Sequence, residues 1–402
     1  MLGKLTRIAL LGGLVLLGST VLAASAYAQT TAYGTANFTA IYSLNNMANG
    51  NGDLGVDATP PVKDSGPDEI GGGTFLFHAA ASKFGVKSSM DSDMGKITAV
   101  VEVDAAGRPG GSAIGSDSSA PAIRLRHAYG TVGNLLLGRT WGGLATDFSW
   151  FPTTIDPAGP YGASVVFTDP RMAQVRYTMP LGDNKFVISA EANCGIRSIL
   201  CGENASTLPR LVPAFYMNLG MAKVQVVAAM TSIRVNEARI GADLDGSGET
   251  KDDITGSGTA FGVNAAIGVG AGTIKIHFLT GGGGWQQNAA FLGAPWYMEA
   301  DSAGKVTGIK FNTLTDMTLS YSHKLDDKSN VNVTYGSITA GDDVADSGGT
   351  ASGANSIHLN YRWNVAPSVI MGVEYATKTM TYEPSGDTGT TSALVFGTDF
   401  NF

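Results

Sequence analysis

Ser392-Ala393-Leu394-Val395-Phe396-Gly397-Thr398-Asp399-Phe400-Asn401-Phe402 alternates so strictly that Leu394, Phe396, Phe400 and Phe402 fall on one face of a strand. Successive side chains of a strand point to opposite faces, so one row here is apolar and aromatic and the other is small or polar. Soluble sheets seldom finish on an exposed aromatic residue. Barrels that span a membrane do, because aromatic side chains settle at the interface between hydrocarbon and water.

The same alternation recurs along the chain. Ile357, Leu359, Tyr361 and Trp363 share a face opposite Ser356, His358, Asn360 and Arg362, and Leu211, Phe215, Met217 and Leu219 oppose Val212, Tyr216 and Asn218. Read between turn signals, the pattern predicts strands near 31–43, 74–88, 95–104, 122–130, 134–141, 171–178, 185–193, 210–219, 222–235, 258–269, 273–281, 305–322, 329–339, 355–363, 368–378 and 391–402, sixteen in all. Their connections alternate in length. Tight turns such as Thr131-Val132-Gly133, Gly220-Met221 and Gly270-Ala271-Gly272 alternate with long segments at 44–73, 105–121, 142–170, 194–209, 236–257, 282–304, 340–354 and 379–390. This predicts an all-β fold, a transmembrane antiparallel β-barrel of about sixteen strands. An open sheet edge in hydrocarbon would leave backbone amides unpaired, so the sheet must close.

Lys4 and Arg7 precede an apolar run from Ile8 to Val21, then Ala26-Tyr27-Ala28, so residues 1–28 read as a signal peptide cleaved after Ala28. The barrel domain is then 29–402, or 402 − 28 = 374 residues, and the bacterial outer membrane is its expected location. With two of the 26 basic residues removed against 34 acidic ones, its net charge is 24 − 34 = −10. Lipid is the expected surroundings, and a nucleic-acid partner is not expected.

A barrel of this size is too wide for its own side chains to fill, so an aqueous channel is expected. The third long segment, Gly142 to Pro170, carries Trp150-Phe151-Pro152, Asp156-Pro157 and Gly159-Pro160-Tyr161-Gly162, and is expected to fold inward and narrow the channel. Arg124 and Arg126, two apart on one strand, and Arg176 between Val175 and Tyr177 alternate against apolar neighbours that include Ile123, Leu125 and Tyr129, which places the arginines in the lumen. Arg139 is expected there as well, since lipid-facing arginine near mid-membrane costs ~2–4 kcal/mol. These four would form the basic wall of a constriction, with Asp147, Asp156 and Asp169 as the opposing acids of the loop. Such an arrangement favours anions. An alternative role is structural, the arginines pairing with acids and bracing the wall.

Cys194 and Cys201, in a Gly/Asn/Ser-rich segment, suggest one loop-closing disulfide. Asp243, Asp245 and Ser247 are spaced like the start of a calcium loop, but position twelve is Ile254 and cannot supply the bidentate acid; they are a weak calcium candidate in a solvated acidic loop. There is no G-x-S-x-G, H-E-x-x-H or Walker A sequence, so no enzyme and no cofactor are expected.

Ile123-Arg124-Leu125-Arg126-His127-Ala128-Tyr129-Gly130, Gly133-Asn134-Leu135-Leu136-Leu137-Gly138-Arg139-Thr140-Trp141 and Gln174-Val175-Arg176-Tyr177-Thr178 together resemble the DcaP-like porins. The resemblance implies a homotrimeric, sixteen-stranded outer-membrane porin that admits small anionic solutes, dicarboxylates among them, past an arginine-lined constriction. Members of that family can carry an N-terminal coiled-coil segment, whereas here strand pattern begins within a few residues of Gln29. Trimer contacts would then fall on the barrel wall, where the outward set Ala32, Gly34, Ala36 and Ala40 is suitably small. The expected function is passive diffusion of small, preferentially anionic solutes. The alternative is a structural or adhesive barrel, or a sheath for an envelope partner.

Overall fold

The structure, a computed structural model, describes residues 28–45, 71–107, 122–144, 154–155, 171–192, 208–236, 253–282, 296–341 and 351–402. Its strands are β1 (Gln29–Asn45), β2 (Gly71–His78), β3 (Lys83–Met90), β4 (Ile97–Gly107), β5 (Ala122–Val132), β6 (Leu135–Trp141), β7 (Arg171–Leu181), β8 (Asn184–Glu191), β9 (Arg210–Asn218) and β10 (Ala222–Asn236). There follow β11 (Asp253–Val269), β12 (Gly272–Gly281), β13 (Trp296–Ala300), β14 (Val306–Phe311), β15 (Leu314–Lys324), β16 (Ser329–Ala340), β17 (Ala351–Ala366), β18 (Val369–Tyr382) and β19 (Thr388–Asn401).

All pairings in the large sheet are antiparallel, and β1 pairs with β19, so the sheet closes. β2 and β3 are two halves of one interrupted strand, since Thr39 opposes His78 and Thr35 opposes Lys83 on the same edge of β1. Counting them together, seventeen strands become sixteen positions in the ring, as the sequence pattern predicts. At the seam, Gly34 exchanges backbone hydrogen bonds with Phe402 (2.9 and 3.1 Å) and lacks a Cβ where the Phe402 ring lies. The tight turns fall where predicted; Gly133 and Gly270 take φ of 54° and 56°, the left-handed region that a two-residue hairpin turn requires.

The two rows of each strand differ as the alternation demands. Ile357, Leu359 and Tyr361 are exposed on the outside, whereas Ser356, His358 and Asn360 are buried on the inside. Exposed rows of this kind, from Phe38 on β1 to Phe400 on β19, cover the outer wall with apolar side chains. Such a surface needs hydrocarbon for its solvent.

Two features depart from the sequence reading. The predicted strand 305–322 is two strands, broken at Asn312-Thr313, and its first part is β14, paired only with β13. This hairpin lies in the connection between β12 and β15. Its Trp296 and Phe311 pack with Ile233 and Val235, inward residues near the end of β10, and Gly256 and Gly258 leave room for Ile309 and Phe311. The second departure is a bulge in β5. Val103 opposes Leu125 but Glu102 opposes His127, leaving Arg126 as the extra residue. Alternation therefore reverses beyond it: Tyr129, expected to face lipid, stands opposite the buried Val100 and faces inward.

Candidate functional site

The inner wall carries its arginine–carboxylate cluster on one arc, β3 to β7, the charged arc; the far arc, β10 to β18, is mostly amides, hydroxyls and imidazoles, with Lys275, Asp316, Arg362, Glu374 and Lys378 set among them. On the charged arc, register sets Asp104 opposite Arg124. Arg124 grips that carboxylate with two donors, Nε to Oδ1 at 3.0 Å and Nη2 to Oδ2 at 2.6 Å. The bulge turns Arg126 toward the same space, where Nε donates to Glu102 Oε1 (2.5 Å) and Nη1 to Asp104 Oδ2 (2.9 Å). Charge-assisted, two-pronged bonds of this type fix guanidinium planes as well as charges. Tyr33 Oη donates to the other oxygen of Glu102 at 3.1 Å, and His127 Nδ1 lies 2.9 Å from Thr140 Oγ1.

Arg171, which opens β7, was not picked out from the sequence. Its guanidinium lies 4.0 Å over the Trp141 ring; by register the two continue the row of Arg139 and Ala173, but at this strand end Trp141 stands edge-on to the inward His127, and Arg171 comes within electrostatic reach of Arg124, Arg126, Asp104 and Glu102. Among the described residues it hydrogen-bonds no carboxylate. Stacking on an indole compensates in part for the water that a guanidinium loses. Arg176 donates from Nη2 to the Trp141 carbonyl (2.6 Å) and so braces the point where the chain leaves β6. Arg139 is half-buried and within electrostatic reach of Arg124, but it opposes Ala128 and Ala173, one residue out of step with the row that carries Arg176 and Gln174. Arg124, Arg126 and Arg176 thus share the inner row, and register sets Arg139 off it.

The partners of Arg124 and Arg126 are wall carboxylates of β4. Asp147, Asp156 and Asp169, expected as opposing acids, lie outside the described residues, as do Cys194 and Cys201, Asp243, Asp245 and Ser247, and residues 1–27 of the expected signal peptide.

The third long connection does turn inward. Gly143 N donates to Glu191 Oε1 at 2.6 Å, and a Cβ there would meet Ser189 and Val212, both inner-row residues of β8 and β9. Leu144 is wholly buried beside Val187 and Val212. Glu191 itself is held by Arg210, Nη2 to Oε2 at 2.5 Å, and by Ser189 Oγ, so the root of the loop rests on a buried ion pair. Farther along, Ile155 N donates to Glu374 Oε2 on β18 at 2.9 Å. β8 and β18 are the seventh and fifteenth of the sixteen positions in the ring, so the loop is anchored on diametrically opposed walls.

Both anchors are continuous with the far arc. Gln225 Nε2 donates to the Gly143 carbonyl (3.1 Å), Asn264 Nδ2 to Gln225 Oε1 (2.7 Å), and Asn264 Oδ1 meets His277 Nδ1. At the other end, Asn332 donates to Asn360 (2.7 Å), Asn360 to Glu374 (2.8 Å), and His358 Nδ1 lies 3.0 Å from Glu374 Oε1. Among the described residues no cluster of three or more His, Cys, Asp or Glu could hold a metal ion.

The architecture is similar to that of several solved outer-membrane proteins. The outer membrane channel DcaP of Acinetobacter baumannii aligns with a TM-score of 0.71 and 19% identity, covering 94% of this chain and 98% of that one. An anion-selective porin from Comamonas acidovorans aligns at 0.56 with 12% identity, covering 93% and 100%. The trimer form of OmpT, an outer membrane protein of Vibrio cholerae, aligns at 0.52 with 12% identity, covering 94% and 100%. At these identities the likeness is one of fold. No family model matches the chain, and no curated protein matches it by sequence.

Proposed function

We propose that the protein is an outer-membrane porin through whose lumen small solutes, anions in preference, diffuse passively. The observation that carries this reading is the unequal charge of the inner wall at the level of the inward loop. Asp104 and Glu102 offset Arg124 and Arg126, while Arg171 and Arg176 hydrogen-bond no carboxylate among the described residues. Surplus guanidinium charge in a narrowed, low-dielectric passage attracts anions and offers carboxylates a two-pronged partner. Dicarboxylates would fit the spacing of several guanidinium groups along one arc. The fold shared with a porin described as anion-selective is consistent with that preference.

A homotrimer is the proposed assembly. The outward row of β1 is small at Ala32, Ala36 and Ala40, with Gly34 under the Phe402 ring and Phe38 standing between Ala36 and Ala40, and beside it an apolar groove of about 670 Å³, lined by Tyr42, Phe75, Leu359, Tyr361 and Tyr375 among others, offers apolar surface to another wall. The V. cholerae protein of like fold is described in a trimer form.

Reversal potentials of the purified protein in planar bilayers under a salt gradient test the reading. Anion preference, weakened when Arg171 and Arg176 become alanine, is expected. Cation preference untouched by those changes overturns it, and a barrel with no conductance at all would favour a structural role.

A further inference from the structure

We infer that Glu374, together with a recess formed by Gly372 and Gly397, is the positioning site that holds the inward loop across the lumen. The channel's aperture is thus set by the wall facing the charged arc. The inference rests on the channel reading above and adds to it the residues that fix the loop.

Three observations support it. Ile155 is 8% exposed, and its backbone N–H is bonded to Glu374 Oε2, a contact between residues 219 apart in sequence that the text of the chain does not betray. Its side chain occupies a hollow that exists because two neighbouring strands both present glycine. A Cβ on Gly372 would come 2.1 Å from Ile155 Cδ1, and one on Gly397 would come 2.5 Å from Ile155 Cγ2. Gly372 and Gly397 are direct cross-strand partners, so the two bare positions form one depression in the wall. Neither glycine is in the left-handed region, so backbone conformation does not demand them. Lastly, Glu374 is held by the wall as well as by the loop: Asn360 Nδ2 donates to the same oxygen that takes Ile155 N–H, and His358 Nδ1 lies at the other. A buried carboxylate with its remaining lone pairs engaged is a strong, directional acceptor for one more amide.

Packed interiors respond to a methyl group in the wrong place, because there is no free volume to absorb it. Gly372→Val therefore expels Ile155 without altering any charge. Glu374→Gln changes the chemistry without altering the recess: an amide offers one acceptor oxygen where the carboxylate offered two, and brings donors to a place already supplied with them. Both variants release the loop tip by independent routes.

Single-channel recording in planar bilayers reads the effect. E374Q and G372V are each expected to raise the unit conductance and to lose the single steady open level; S320A, on the same arc but outside the latch, where Ser320 bonds Thr334 across β15 and β16, is expected to keep both. Restoring the attachment covalently separates positioning from general damage. From a Cβ built on Gly397, Ile155 Cβ lies 4.0 Å away, inside the span a disulfide bridges, so I155C/G397C should cross-link on oxidation. In an E374Q background the oxidised pair should return the steady level, and thiol reductant should abolish it again. Wild-type conductance and steadiness in both E374Q and G372V would overturn the inference. So would failure of the cysteine pair to cross-link in a folded, heat-modifiable barrel. Cross-linking in a barrel that never conducts would instead leave the loop's attachment standing and remove the channel reading.

Discussion

The two arcs of the inner wall use polar side chains for different ends. On the charged arc, Arg124, Arg126, Asp104 and Glu102 bond one another across β4 and β5, and Arg171 remains stacked on Trp141 beside them. On the far arc, Gln225, Asn264, Asn332, Asn360 and Glu374 bond one another and the two fixed points of the loop. One arc presents charge to the lumen, and the other spends its hydrogen bonds on holding structure in place. Polar residues inside a wide barrel cannot therefore be read uniformly as contacts for solute; a ladder of amides can line water and still be scaffolding.

The contrast is open to experiment. Arg124→Ala with Arg126→Ala strips the charged arc of its matched cations and takes from Asp104 and Glu102 the guanidinium groups that offset them. Ion preference should shift strongly toward cations, read from the sign and size of the reversal potential. Glu191→Ala should damage the barrel and free the root of the loop, since Arg210, 1% exposed, loses this carboxylate and Gly143 N–H loses its acceptor; breaking a buried pair costs about 3–5 kcal/mol. The measurement is the temperature at which the folded, fast-migrating form is lost in detergent. Asp104→Asn frees part of the Arg124 and Arg126 charge and should increase anion preference moderately under the same salt gradient. The smallest effect is expected on the far arc. Asn332→Ala removes its hydrogen bonds to Asn360 and Asn330, each worth about 1 kcal/mol, and should leave the reversal potential where it was. A large selectivity change from Asn332→Ala would break the division between the arcs.

Much of this architecture is legible in the chain, because alternation is a local property. Rows such as Leu359 and Tyr361 against His358 and Asn360 declare the two faces, and turn residues such as Gly133 and Gly270 mark where the strands reverse. The inward turn of the third loop was likewise readable from its prolines and aromatics. What alternation conceals is any place where the count slips. At Arg126-His127 both residues are polar, so nothing marks the extra residue, and Tyr129 is assigned to the wrong face. The break at Asn312-Thr313 hides for a similar reason, since β14 and β15 are both strands and their patterns run together. Partners are harder still. That Asp104 and Glu102 would answer Arg124 and Arg126 depends on register between strands, and the meeting of Ile155 with Glu374 depends on the whole ring being closed. Arg171 escaped notice because its importance comes from Trp141, thirty residues away in sequence and adjacent only in the sheet.

Pairing of β1 with β19 has a consequence for biogenesis. The two edges that meet at Gly34 and Phe402 are made at the start and the finish of barrel synthesis, so neither can be satisfied while the other is missing. Until they meet, the polypeptide carries two raw borders and a greasy exterior through an aqueous compartment, a state that invites clumping. Closure of the ring and entry into hydrocarbon are thereby coupled: the first removes the raw borders and the second the cost of the greasy exterior.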